Sequence, residues 1–360
     1  MSKMTRREFI GTAAAAAALP SVAGGGGDFA KAVLLHLGQN MWSDVPVKRW
    51  GNCDTPERLS SICAADHVRY DMGVWRKVTG RMAEKGLNML VIDMGEAVVY
   101  PSHPELSVKG SMSPDEFKAE LARLRGMGIE PIPKLNFSTA HDTWLKEYER
   151  MVSTQQYYTV CADVIRDVSE MFGTPRLFHI GYDEETASHQ SQYGFACVRQ
   201  GELWWHDFLF FVKSVEKFGM RPWIWSDYIW RHKDEFLKRM PRSVMQSNWF
   251  YGAELKVEDK PQAGLECGRV QTYLELDKAG FDQIPCGSNW SNRESIGATV
   301  RFAKANISPS RLKGVLMAPW FFTTPDREAE LLDACDLLAA AFTAPGGGLG
   351  RDVTVNGRSE

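Results

Sequence analysis

Leu177-Phe178-His179-Ile180-Gly181-Tyr182-Asp183-Glu184-Glu185 is the stretch whose reading decides the fold. It begins as a short apolar run with strand propensity and stops at three consecutive carboxylates. A run that short and that apolar predicts a buried parallel strand. In barrels of parallel strands, chemistry sits where the strands end. Carboxylates at such an end are placed to act as acid, base or charge stabiliser. A single acidic residue there would only cap the following helix, whose dipole favours negative charge. Three of them after a buried strand, with His179 and Gly181 before them, point to function.

Seven further apolar runs share this character, at 32–37, 89–93, 131–136, 222–225, 244–247, 283–287 and 315–319, most of them separated by helix-like segments. Strands alternating with helices imply parallel pairing through right-handed crossovers. Eight such units predict a single (β/α)8 TIM barrel over residues 31–344. The helices between them carry their own signals. Ser113-Pro114-Asp115-Glu116 reads as an N-cap, a first-turn proline and a capping-box glutamate. Phe117, Leu121 and Leu124 then form one apolar stripe; Tyr157, Val160, Val164, Val168 and Met171 form another. Residues 202–218 and 326–342 read as two more helices.

At 360 residues and 44% hydrophobic, the chain can bury one large core. A formal net charge of −3 gives no pull toward nucleic acid or an anionic membrane. The seven cysteines show no CxxC and are odd in number, which predicts free thiols. The eight histidines lack clustered ligand spacing, so neither a metal nor another cofactor is expected.

Residues 1–23 read as an export signal: Thr5-Arg6-Arg7-Glu8-Phe9-Ile10 is a twin-arginine pattern, followed by an alanine-rich run and by Ser21-Val22-Ala23 as a cleavage site. The apolar run is too short to span a bilayer, and no cysteine stands at the cleavage site for a lipid anchor. The expectation is passage through the twin-arginine translocation machinery into the periplasm or beyond. Residues 24–30 read as a flexible linker and 345–360 as a mobile tail.

The strand ends are chemically biased. In chain order they bring Gln39, Asn40 and Trp42; Asp93 and Glu96; Asn136, His141 and Asp142; Asp183 and Glu184; Trp225, Asp227 and Tyr228; Asn248 and Trp249; Asn289 and Trp290; and Trp320. Core layers of such barrels favour branched aliphatics, so tryptophan at five of eight ends is not explained by packing. Flat aromatic faces beside hydrogen-bonding Asn, Asp and His suit a sugar ring, with its apolar faces and hydroxyl rim. A carbohydrate substrate follows.

The central stretch resembles the His-x-Gly-Gly-Asp-Glu signature of the β-N-acetylhexosaminidases, the family 20 glycoside hydrolases. His179, Gly181, Asp183 and Glu184 match it, and Tyr182 replaces the second glycine. Gly128-Ile129-Glu130-Pro131-Ile132-Pro133 is similar to that family's entry to the third strand, Tyr100-Pro101 to its Tyr-Pro segment, 222–228 to its fifth-strand Trp-Asp-Glu region, and Val244-Met245-Gln246 with Trp249 to its sixth strand. The departures are specific. Gln39 and Asn40 stand where the family holds sugar hydroxyls with an arginine. Lys134 and Asn136 replace a Glu and an Asp; Asp93 and Glu96 replace a His and an Asp. A retained pair in a rewritten shell implies a different or modified glycoside.

Adjacent carboxylates cannot easily flank one glycosidic bond from opposite faces. The resemblance implies a substrate-assisted, retaining route instead. The 2-acetamido oxygen attacks C1, Asp183 orients that group, and Glu184 protonates the leaving oxygen. His141 and His179 would bind hydroxyls or support the pair. Three other readings stay open at this stage. One is a glycosidase on non-acetamido sugars, with Asp227, Asp93 or Glu96 as the second carboxylate. Another is a non-catalytic sugar-binding barrel, against which retention of Asp183 and Glu184 speaks. The last, a metal-dependent barrel enzyme, ranks below both.

Overall fold

The computed structural model of the protein describes residues 29–49, 55–258 and 260–343. The expected export segment, most of the linker and the tail at 345–360 lie outside the described residues. All eight runs are strands: β1 Ala30–His36, β2 Met89–Asp93, β3 Glu130–Lys134, β4 Leu177–His179, β5 Arg221–Trp225, β6 Met245–Ser247, β7 Cys286–Gly287 and β8 Gly314–Met317. They form one parallel sheet in the order β6-β5-β4-β3-β2-β1-β8-β7. Bridges from Gln246 to Gln283 and from Trp249 to Cys286 join its two edges. The fold is the expected (β/α)8 barrel.

Side chains on each strand alternate between two layers, as the two-residue strand period requires. Ala32, Leu34, Met89, Val91, Ile132, Leu177, Trp223, Trp225, Met245 and Leu316 fill the barrel interior. Their neighbours Val33, Leu35, Leu90, Ile92, Phe178, Ile180, Ile224 and Val315 pack outward against the helices. Burying each such side chain stabilises the fold by ~1.5–3 kcal/mol. The helix Pro114–Gly126 starts on the expected capping box: the Ser113 hydroxyl accepts from the Glu116 N–H, and the Glu116 carboxylate accepts from the Ser113 N–H at 2.8 Å. The helix Gln155–Phe172 ends on Gly173, whose left-handed φ of 68° costs a glycine little.

The top interior layer is polar rather than aliphatic. The register sets His36 beside Asp93, Asp93 beside Lys134 and Lys134 beside His179. Lys134 Nζ lies 2.5 Å from Asp93 Oδ2, with His36 Nδ1 3.2 Å from the same oxygen. Burial alone would raise the Asp93 carboxyl, but Lys134 and His36 outweigh it and hold it at about 2. The six cysteines among the described residues are free thiols. No described helix is long and apolar enough to cross a membrane.

Candidate active site

Beyond β4 the backbone folds back sharply, and Asn136 from the end of β3 holds it there. Its Oδ1 accepts from the N–H of Tyr182 and of Ser138, each at 3.0 Å, and its Nδ2 donates to Asp183 Oδ1 at 2.7 Å. Gly181 passes so close that a Cβ there would stand 2.0 Å from Asn136 Oδ1, and its φ is +68°. Glycine is required on both counts. Tyr182 and Glu184 also have positive φ, 76° and 55°. Such conformations cost ~1–3 kcal/mol each for residues with a side chain and persist only where packing over-determines them.

The packing that does so is visible. Tyr182 turns outward, buried among Trp204, Phe208 and Phe211, with the Arg199 guanidinium 4.6 Å over its ring. The Glu185 side chain is buried too. It accepts from Arg199 Nη2 at 2.6 Å and from the Arg199 and Thr139 N–H groups at 2.7 and 3.2 Å. Arg199 continues to Asp207 at 3.2 Å and to the Phe137 carbonyl at 2.8 Å. The three carboxylates of the strand end therefore separate. Glu185 fastens the turn, Asp183 is buried at the mouth, and Glu184 remains accessible, its side chain 34% exposed.

His141, from the loop after β3, joins the two. Its Nε2 lies 3.4 Å from Asp183 Oδ2 and 3.4 Å from Glu184 Oε2. His189, from the loop after β4, brings Nδ1 to 3.5 Å from Glu184 Oε2. Asp227, after β5, accepts from the Glu184 N–H at 2.9 Å. Burial works against an imidazolium, but Asp183 and Glu184 outweigh it and push His141 up to about 10. Burial would also raise Asp183; His141, Lys134 and the Asn136 amide reverse this and hold it well below the usual carboxylate range. Asp227 goes the other way, pushed up to about 8 by burial and then by the charge of Asp183. At neutral pH the site holds an ionised carboxylate, an imidazolium and a protonated carboxyl group. Environments that drive neighbouring acids apart in this way divide acid and base roles between them.

An aromatic wall completes the mouth. The rings of Trp225 and Trp320 lie 5.7 Å apart, Trp320 Nε1 donates to the Tyr251 hydroxyl at 2.9 Å, and Tyr251 stacks on Trp249 at 5.2 Å. Trp225 is fully buried and forms the floor of this wall, while Trp290 is half exposed on the loop after β7. His179 lies beneath, its ring 4.9 Å from Trp223 and 4.6 Å from Trp225, its Nδ1 accepting from the Gly181 N–H. Burial, then Lys134, holds it neutral.

Other residues expected at the site make their contacts elsewhere. The buried Glu96 carboxylate accepts from the N–H groups of Gln39 and Asn40 at 2.8 and 3.1 Å. The Asn40 side chain pairs with the Ala65 backbone in both directions. Asp93 belongs to the interior layer. Tyr228 stacks on Trp204 at 3.7 Å, and Asn248 is taken up by Trp230 and the Arg269 carbonyl. Two residues at the mouth were not anticipated, His189 and Tyr251. Tyr251 stands two positions after Trp249, a spacing that could have flagged it; His189 lies in a loop with no period to read.

A cleft of about 600 Å³ opens among the loops after β1, β2 and β3, lined by Asn40, Asp44, Lys109, Glu149 and Arg150 among others, but not by the acidic pair. Burial, then the charge of Asp44, pushes the Glu149 carboxyl up to about 7 against a hydrogen bond from Thr143. Below pH ~4.5 both folded and unfolded chains hold this proton, and above ~7 neither does, so stability falls between those values and stays lower. Glu149→Gln should therefore raise Tm at pH 8, by at most ~3 kcal/mol of stability, and leave Tm at pH 4 unchanged. Equal effects at both pH values in a melting series would refute this.

A parallel (β/α)8 barrel with an acidic pair, an imidazole and an aromatic wall at the C-terminal strand ends defines the class of molecule. No family model matches the sequence, and no curated protein matches it. Solved structures do resemble it. An exo-β-N-acetylglucosaminidase of family 20 from Vibrio harveyi, solved with N-acetylglucosamine, shares 13% identity over 85% of this chain and 54% of its own, with a TM-score of 0.54. A β-N-acetylhexosaminidase shares 13% over 87% of this chain and 71% of its own, TM-score 0.56. Dispersin B shares 15% over 76% of this chain and 94% of its own, TM-score 0.51. The chain spans about half the length of the Vibrio enzyme and of a Flavobacterium johnsoniae chitobiase, 54% and 46%. The resemblance to the catalytic barrel of the family 20 hexosaminidases covers most of the chain.

Proposed function

We propose that this protein is an exported glycoside hydrolase acting on a β-linked hexosaminide or a modified relative of one. The observation that carries this reading is the division of labour at β4. Asp183 is held ionised and immobile by Asn136 and His141, while the accessible Glu184 touches the same imidazole. Glu184 donates a proton to the departing oxygen. Asp183 orients and stabilises the 2-acetamido group as its oxygen attacks C1. The wall of Trp249, Tyr251 and Trp320 receives the sugar face, with Trp225 supporting it from below. Export rests on Arg6-Arg7 and the alanine run behind them. The fold likeness to hexosaminidases supports this reading.

Asp227 favours a second reading. Its Oδ1 is buried with no hydrogen-bond partner among the described residues, and it stands beside Glu184 as a second carboxyl group for plain hexosides. One experiment on exported protein separates the two. Aryl 2-acetamido glycosides should be hydrolysed, glycosides lacking that group should be inert, and a thiazoline mimic of the cyclised intermediate should inhibit. Turnover of plain hexosides that ignores the thiazoline would transfer the second role to Asp227. Mass spectrometry of the same material should show residues 1–23 removed; an intact amino terminus would refute export processing.

A further inference from the structure

His141, His189 and Glu184 converge from two loops and a strand end, at positions 43 and five apart in sequence. The candidate ligand atoms all lie within 4.8 Å of one another. The individual gaps are informative. A hydrogen bond from a charged nitrogen to a carboxylate closes to about 2.7–2.9 Å. The gaps here are 3.4 Å from His141 Nε2 to Glu184 Oε2, 3.4 Å from the same nitrogen to Asp183 Oδ2, and 3.5 Å from His189 Nδ1 to Glu184 Oε2. Two atoms each about 2.0–2.1 Å from a tetrahedral ion stand roughly 3.3–3.4 Å apart. The spacing suits atoms that share an ion better than atoms that share a proton. Two imidazoles and one carboxylate make a donor set that suits zinc and its first-row neighbours rather than magnesium or calcium. His141 is buried, and His189 is on the loop with its side chain 22% exposed.

We propose that His141, His189 and Glu184 form a three-residue binding site for a divalent transition-metal ion such as Zn²⁺, and that the bound ion withdraws Glu184 from proton donation. The site stands on geometry alone; the withdrawal rests on the glycosidase reading. Ligation by His141 Nε2 releases the imidazolium proton to solvent, and an ion on Glu184 occupies the lone pair that would carry the catalytic proton, so the metal-bound protein is the inactive form.

The test uses full-length protein stripped with EDTA and titrated with Zn²⁺ against a chromophoric chelator. One equivalent should bind. His189→Ala, at the accessible position, should weaken binding at least ~100-fold, since loss of outer-shell partners alone costs 10–100-fold. His141→Ala should do the same, with its melting curve showing whether it folds. Absence of saturable binding, or equal affinity in wild type and His189→Ala, overturns the site. Stoichiometric Zn²⁺ should abolish hydrolysis and chelator should restore it; bound Zn²⁺ with turnover intact overturns the withdrawal. If stripped protein hydrolyses no glycoside at all, the glycosidase reading fails and the withdrawal with it, while the titration still decides the metal site.

Discussion

Glu184→Gln is expected to leave the protein folded and to cut turnover of a glycoside with a poor leaving group by ~10²–10⁴-fold, the usual contribution of general acid catalysis. With an activated aryl leaving group, which needs little protonation, the loss should be much smaller. The fold should tolerate the change. Glutamine keeps the size and shape, the Glu184 N–H still donates to Asp227, and the side chain is a third exposed. Asp183→Asn makes the contrast. Asp183 is proposed to act on bond formation at C1, so both leaving groups should suffer alike. Equal losses for the two leaving groups in Glu184→Gln would remove it from the acid role.

Arg199→Met should destabilise the protein by about 3–5 kcal/mol, because it strands two buried carboxylates without their counter-ion. The side chains of Arg199, Glu185 and Asp207 are exposed by 1%, 3% and 0%. Glu185→Gln added to Arg199→Met should recover part of the loss, since the amide buries no charge. Denaturant midpoints of the two variants measure both effects. A single variant within 1 kcal/mol of wild type would show that Glu185 and Asp207 find other partners. The consequence reaches the site, because Arg199 also lies over Tyr182 and so holds the turn that presents Asp183.

The barrel was legible because strands buried on both faces are written as nearly unbroken apolar runs, and all eight were found. Their ends were less so. The fourth run reads on to Gly181; the regular strand is bounded at His179, but backbone bonds at Ile180 and Gly181 carry the pairing on until the positive φ of Gly181 turns the chain. Placement of the acidic triplet at a strand end was equally legible; the fate of its members was not. Nothing local distinguishes Glu185 from Glu184, since what separates them is Arg199, which arrives from the far end of a loop. The tryptophans show the same limit. A position at a strand end tells that Trp225 is near the mouth, while the strand's alternation decides that it is buried beneath it.

Asn136 has a consequence for the way this molecule can change. Its one amide serves Tyr182, Ser138 and Asp183, and Gly181 beside it has no room for a methyl group. In laboratory evolution, variants at these two positions lose the turn itself and drop out before selection can weigh what they bind. Trp290 stands half exposed on its loop and is free of such obligations. Inheritance of the turn and drift of the rim are built into the same barrel, so new sugar preferences in its descendants should be written in the loop after β7.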